Sequence, residues 1–116
     1  MTMILESNRN PDGKHVLYVD VDETLMGVGG TRNVRLVECL KILKTSEPDT
    51  LIYVWSARGL GYAEMAVKFL GLGGVCDGCL PKPTHFMDDM GHSLFRYVKD
   101  ATPANVRIRA AKRYGK

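Results

Sequence analysis

The stretch His15–Met26, HVLYVDVDETLM, constrains the fold of this chain more than any other. Its apolar run stops abruptly at Asp20, with Asp22 and Thr24 following at alternate positions. A continuous apolar segment that ends in acids reads as a strand buried in a sheet, with its carboxylates delivered to the sheet edge. Parallel strands carry their chemistry at the carboxyl end, in the crevice just outside the sheet. A chain built on such a strand needs further strands beside it and helices to cover them.

The remaining residues supply both. The spacing predicts a first strand over about 15–20, then a flexible loop at Gly27, Gly29 and Gly30. Asn33 is a natural N-cap, and Leu36, Val37, Leu40 and Leu43 recur at helical spacing after it. Pro48 ends that helix near residues 45–48. TLIYVWS, residues 50–56, is β-branched and aromatic and reads as a second buried strand ending at Ser56. A second helix over about 61–71 buries Ala63, Ala66, Val67 and Leu70 and is stopped by Gly71, Gly73 and Gly74. Met65 and Phe69 read as core, and Lys68 as solvated. A third short strand is expected over 75–80, before Pro81-Lys82-Pro83. A further apolar run, Thr84–Met87, ends in Asp88-Asp89, and a helix is expected over about 93–99. Strands alternating with helices imply right-handed βαβ units. The expectation is one α/β domain over 1–116, a three-layer Rossmann-like parallel sheet with helices on both faces.

The two ends look different. Residues 1–14 are polar, close on Asn-Pro-Asp-Gly, and read as a loose leader. Residues 104–116 hold Arg107, Arg109, Lys112, Arg113 and Lys116 and no acid, and they are ambiguous between strand, helix and frayed end. The chain carries +3 overall, so this basic tail of +5 leaves the body at −2. No apolar run approaches the roughly 18–20 residues that span a membrane. Three cysteines, an odd number, do not suggest a secreted disulfide scaffold. A cytoplasmic setting is expected.

Four predicted strand ends therefore bear polar groups: Asp20 with Asp22, Ser56, Lys82, and Asp88 with Asp89. Four carboxylates in one crevice repel unless a cation sits among them. Mg²⁺ suits such a set, since it takes a few carboxylates together with water and phosphate oxygens. A lysine and a hydroxyl beside it suit a phosphoryl group, and a carboxylate is a competent nucleophile toward phosphorus.

In order and spacing these residues resemble the haloacid dehalogenase (HAD) superfamily of phosphohydrolases. The first motif of that family, D-x-D-x-T at a strand end, is matched by Asp20-Val21-Asp22-Glu23-Thr24. The second is matched by Ser56, the third by Lys82-Pro83, and the fourth by Asp88 and Asp89. The resemblance covers about residues 15–90. It implies a HAD-like fold and a phosphatase that works through an aspartyl-phosphate. It casts Asp20 as nucleophile, Asp22 as acid and base, Thr24 as the turn residue, and Lys82 as charge neutraliser. Ser56 and the Ala57 N–H would bind phosphate oxygens. The metal set would be Asp20, the Asp22 carbonyl, Asp88 and, directly or through water, Asp89. An acid at position 22 favours phosphoryl chemistry over dehalogenation. Both inter-motif intervals are too short for the cap insertions common in the family, which implies an open site and room for large substrates.

Several residues carry a second reading. Arg58 is either a substrate contact, as in nucleic-acid end phosphatases of the superfamily, or an exposed charge. Asp89 is either a metal partner or the N-cap of the next helix. Cys76 and Cys79 with His85 and His92 have the ligand types of a zinc site but not a recognisable spacing. The basic tail is either a solubilising end or a contact for nucleic acid. Expected substrates are a polynucleotide 3′- or 5′-phosphate, or a small metabolite or nucleotide handled by a homo-oligomer. A non-catalytic phosphate- or nucleic-acid-binding module on the same fold is the alternative from a different class.

Overall fold

The structure is a computed structural model that describes residues 2–5, 14–93, 98, 101 and 106–109. Its centre is a parallel sheet of three strands, β2 (Val16–Asp20), β3 (Leu51–Ser56) and β4 (Gly78–Pro81), in the order β2-β3-β4. Helix α1 (Val34–Ser46) connects β2 to β3, and α2 (Leu60–Phe69) connects β3 to β4. The fold class is thus α/β with a parallel sheet. Among the described residues, no helix is long and apolar enough to cross a membrane.

The register follows the burial pattern. Val19 pairs with Val54, and Val54 with Cys79, so these side chains share one face of the sheet. Ile52 and Val54 are fully buried on that face. They form one core with Val37, Leu40 and Leu43 of α1 and with Ala63 and Ala66 of α2. Both crossovers step in the same direction across the sheet, and right-handed connections then put both helices on one side. The expectation of helices on both faces is met on one face only among the described residues. The other face carries Tyr18, Tyr53 and Trp55. The Tyr18 ring meets Tyr53 and Trp55 edge-on, with centroids 5.7 and 4.8 Å away. Gly78 leaves room for the Tyr53 ring, since a Cβ there would lie 3.2 Å from it and press it to shift.

Helix ends form as their residues dictate. The Asn33 side chain accepts from the Leu36 N–H at 3.1 Å, which caps α1. Helix α2 closes in a Schellman motif: the Leu72 N–H bonds the Val67 carbonyl and the Gly71 N–H bonds that of Lys68. Gly71 takes φ +69° there, and Leu72 is fully buried behind it. Leu70 is buried as expected, but Met65 and Phe69 are about half exposed and are not core. They fall outside the stripe that Ala63 and Ala66 turn inward, and the Arg32 guanidinium covers the Phe69 ring at 4.4 Å.

Two further expectations are corrected. The apolar run 84–87 forms no strand, and Phe86 and Met87 are exposed. A run this short becomes a strand only when it takes up a pairing edge and buries a face, and among the described residues it does neither. The leader is not wholly loose: β1 (Thr2–Leu5) pairs antiparallel with β5 (Val106–Arg109), from Thr2↔Arg109 to Leu5↔Val106. That pairing also resolves the ambiguity of the basic tail at 106–109 in favour of a strand. Of the helix expected over 93–99, residues 94–97 and 99 lie outside the described residues.

An ionic clamp holds the amino-terminal side of the sheet. The Lys44 ammonium bonds the Thr50 carbonyl at 2.6 Å and the Asp77 carboxylate at 2.9 Å, and Asp77 Oδ2 also accepts the Ile52 N–H at 2.8 Å. It joins the last turn of α1, the start of β3 and the lead into β4.

All three cysteines are free thiols. Burial first, then the neighbouring Cys79 and Asp77, push the Cys76 thiol from its ordinary 9.0 up to about 12. The thiolate is the reactive form, so Cys76 should be alkylated by iodoacetamide at pH 8 about a thousandfold more slowly in the folded chain than in urea. Peptide mass spectrometry checks this, and equal rates in the two states would contradict it.

Candidate active site

The site begins with the way the turn after β2 is anchored. Val21 and Leu25 are fully buried, so the residues between and beside them are forced outward. Asp20, Asp22 and Thr24 are these outward residues. Glu23 completes the turn at φ +64°, a left-handed conformation that costs a non-glycine residue about 1 kcal/mol. The turn is held by Glu23 N–H to the Met26 carbonyl at 2.7 Å and by Met26 N–H to the Val21 carbonyl at 2.9 Å. The Asn33 amide donates to the Thr24 carbonyl at 3.0 Å, tying the turn to the cap of α1.

Parallel register then brings the strand ends together. Asp20 lies opposite Trp55, one residue before Ser56, and Ser56 lies opposite Pro81, one residue before Lys82. The Lys82 N–H bonds the Ser56 carbonyl at 2.9 Å. From there the Lys82 ammonium reaches Asp20 Oδ1 at 3.0 Å and lies 5.7 Å from the Trp55 ring centre. The Thr24 hydroxyl donates to Asp20 Oδ2 at 3.4 Å. Asp20 is therefore oriented from both oxygens.

Asp22 is held separately. The Tyr62 phenol donates to its Oδ1 at 2.8 Å, and Arg58 Nη1 stands 3.7 Å from its Oδ2. The Arg58 guanidinium also lies over the Tyr62 ring at 4.5 Å. Tyr62 is the residue that periodicity alone passes over. Its signal was an aromatic with a polar tip, beside Ala63 at the border of the buried stripe and one turn after the Ser56 loop.

Ser56 is only 2% exposed, and its Oγ accepts the Arg58 N–H at 3.0 Å. In this geometry it shapes the turn Ser56–Gly59, which the Gly59 N–H closes onto the Ser56 carbonyl at 3.2 Å. Gly59 has φ +105° and ψ 172°, a region open essentially to glycine alone. Ala57 and Arg58 project from this turn and are exposed. A polar depression of about 200 Å³ opens beside Thr24, bordered by Glu23, Gly27, Thr31, Arg32 and Asn33.

The structure thus gathers Asp20, Asp22, Thr24, Ser56, Arg58 and Lys82 at the carboxyl end of the sheet. Among the described residues, no hydrogen bond or ion pair links Asp88 or Asp89 to this group. Among the described residues, no three Asp, Glu, His or Cys side chains come together as metal ligands. Asp88 sits in a local turn, with its Oδ1 accepting the Met90 N–H at 2.8 Å. Asp88, not Asp89, makes that cap-like contact. Cys76, Cys79, His85 and His92 likewise form no ligand cluster, and the His85 ring bonds the Thr84 hydroxyl at 2.8 Å.

Chemically, the assembled groups offer one carboxylate beside an ammonium and a second carboxylate beside a phenol and a guanidinium. Positive charge thus flanks the space between the two carboxylates. Comparison with protein-family models, with curated proteins and with solved structures gives no match.

Proposed function

We propose that this protein is a phosphohydrolase of the haloacid dehalogenase type. It hydrolyses phosphate monoesters through an aspartyl-phosphate formed on Asp20, at an open, capless site. The observation that carries the reading is the pairing of two differently supported acids at one sheet edge. Asp20 is paired with Lys82 at 3.0 Å, and Asp22 is bonded to Tyr62 at 2.8 Å. A binding module needs positive charge to hold phosphate. It has no use for two exposed carboxylates facing the same ligand.

In this reading an Asp20 oxygen attacks phosphorus while Lys82 balances charge on the carboxylate and the transferring group. Asp22 protonates the departing oxygen, then takes a proton from the water that hydrolyses the acyl phosphate. Arg58 is 62% exposed at the rim and faces whatever the phosphate is attached to. Ala57 N–H and the Ser56 turn line the phosphate side.

The fit to Mg²⁺ is partial. The ion is commonly held by one or two carboxylates plus waters and phosphate oxygens, a demand that Asp20 and the Asp22 carbonyl meet. Among the described residues, Asp88 and Asp89 do not complete a three-ligand cluster with Asp20. When bound, Mg²⁺ supplies charge neutralisation at the phosphate.

A screen for phosphate release with Mg²⁺ tests the proposal. It includes p-nitrophenyl phosphate, nucleotides, sugar phosphates and oligonucleotides phosphorylated at either end. Metal-dependent release from at least one class is expected. The exposed Arg58 beside Asp22 favours the oligonucleotides among them, the polynucleotide-end reading. No release from any of them, together with tight nucleic-acid binding, would return the chain to the non-catalytic alternative.

A further inference from the structure

We propose that Tyr62 is the positioning residue for Asp22. It holds the Asp22 carboxyl by one oxygen and leaves the other to serve the leaving group. The inference rests on the phosphatase reading above.

Tyr62 stands in the first turn of α2, its ring partly buried against the core and its hydroxyl turned toward the strand ends. Its O–H donates to Asp22 Oδ1 at 2.8 Å. That bond occupies Oδ1 and leaves Oδ2 as the oxygen that can exchange a proton with the substrate. Arg58 Nη1 lies on that side at 3.7 Å, outside hydrogen-bond reach, and therefore does not occupy the position a proton needs. The same Tyr62 ring supports the Arg58 guanidinium at 4.5 Å. One side chain thus sets the acid through its hydroxyl and sets the neighbouring cation through its face.

A purely stabilising role is a weaker account. The Asp22 side chain is 46% exposed, so water satisfies it almost as well as the phenol does, and the net gain to folding is small.

The proton inventory closes. An Asp20 oxygen bonds to phosphorus as the P–OR bond breaks, and the Asp22 Oδ2 proton goes to the departing oxygen as ROH. Water then attacks phosphorus and gives a proton to Asp22 Oδ2. The bond from phosphorus to Asp20 breaks, and inorganic phosphate leaves with both acids restored.

This makes the leaving group the readout. p-Nitrophenolate departs as a stable anion and has little need of a proton, whereas an alkoxide must be protonated. Tyr62→Phe keeps the ring beneath Arg58 and removes only the hydroxyl. It should lower kcat/KM for both esters, and the loss on an alkyl phosphate should exceed that on p-nitrophenyl phosphate by about tenfold or more, part of the usual general-acid contribution. In an Asp22→Asn background the same substitution should leave the ratio of the two rates unchanged. Equal losses on both esters, or a changed ratio in the Asp22→Asn background, would overturn the assignment. Thermal melting of Tyr62→Phe separates these results from misfolding, and because both esters are assayed on one preparation, the ratio of the two losses does not depend on how much of the variant is folded. If the wild-type chain releases phosphate from no substrate of the screen, the phosphatase reading itself fails, and this inference fails with it.

Discussion

Asp20→Asn abolishes phosphate release while the chain stays folded: this is the expected result with the largest effect on activity. An amide oxygen is a far weaker nucleophile than a carboxylate, and losing the nucleophile should cost at least about 10⁴-fold in kcat. The fold should tolerate the change. The Asp20–Lys82 pair is about one-third exposed on each side, and pairs of this kind contribute on the order of 1 kcal/mol or less. The turn is anchored by fully buried Val21 and Leu25, which the substitution leaves in place. Asn also keeps an oxygen for Lys82. Phosphate release from the best substrate of the screen, read beside a thermal melt, checks both halves. Turnover within tenfold of wild type would exclude Asp20 as nucleophile.

The largest effect on stability is expected at Asp77, far from that chemistry. Burial acts to raise its pKa, but the Ile52 N–H bond and the Lys44 bond and charge together hold the carboxyl below its ordinary 3.8. Asp77→Ala removes the acceptor of the Ile52 N–H and the anion beside Lys44, leaving a main-chain donor of a central strand without its partner. The cost should be about 2–3 kcal/mol at pH 7, from the usual worth of hydrogen bonds to a charged group. For a domain of this size that is a fall in Tm of about 10 °C. The pH dependence has a definite sign. A carboxyl whose folded pKa is depressed contributes stability above its unfolded value, and that contribution is lost as pH falls through the folded value. The gap between wild type and Asp77→Ala should therefore be widest above pH 3.8 and should shrink at lower pH. Urea melts at pH 7 and pH 3 measure it. A gap that stays constant or widens in acid would mean the clamp is not ionic.

Much of the fold and about half of the candidate site were legible in the residues. Strands β2 and β3 could be read because each is a short apolar run with an abrupt polar end. Helix α1 could be read because its cap and its buried positions, Val37, Leu40 and Leu43, follow a local period. Asp20, Ser56 and Lys82 could be read as a group because parallel strands in register finish together. Tyr62 was not legible, since its contact spans forty residues and depends on the pitch of α2 over the turn at Asp22.

The amino-acid sequence by itself determined which segments are apolar, where each stops, and hence which polar side chains reach the carboxyl edge of the sheet. These are local properties, set by side-chain volume, capping and the period of burial. Only the tertiary structure decided which of those edges meet. It joined β1 to β5 from opposite ends of the chain, left the run before Asp88 unpaired among the described residues, and put both crossover helices on one face. Pairing of distant segments depends on competition for hydrogen-bonding edges and buried area, and no local pattern records its outcome. The two acids of the D-x-D stretch were evident from the start. Their separate supports, Lys82 for Asp20 and Tyr62 for Asp22, exist only once β4 and α2 have folded against the turn.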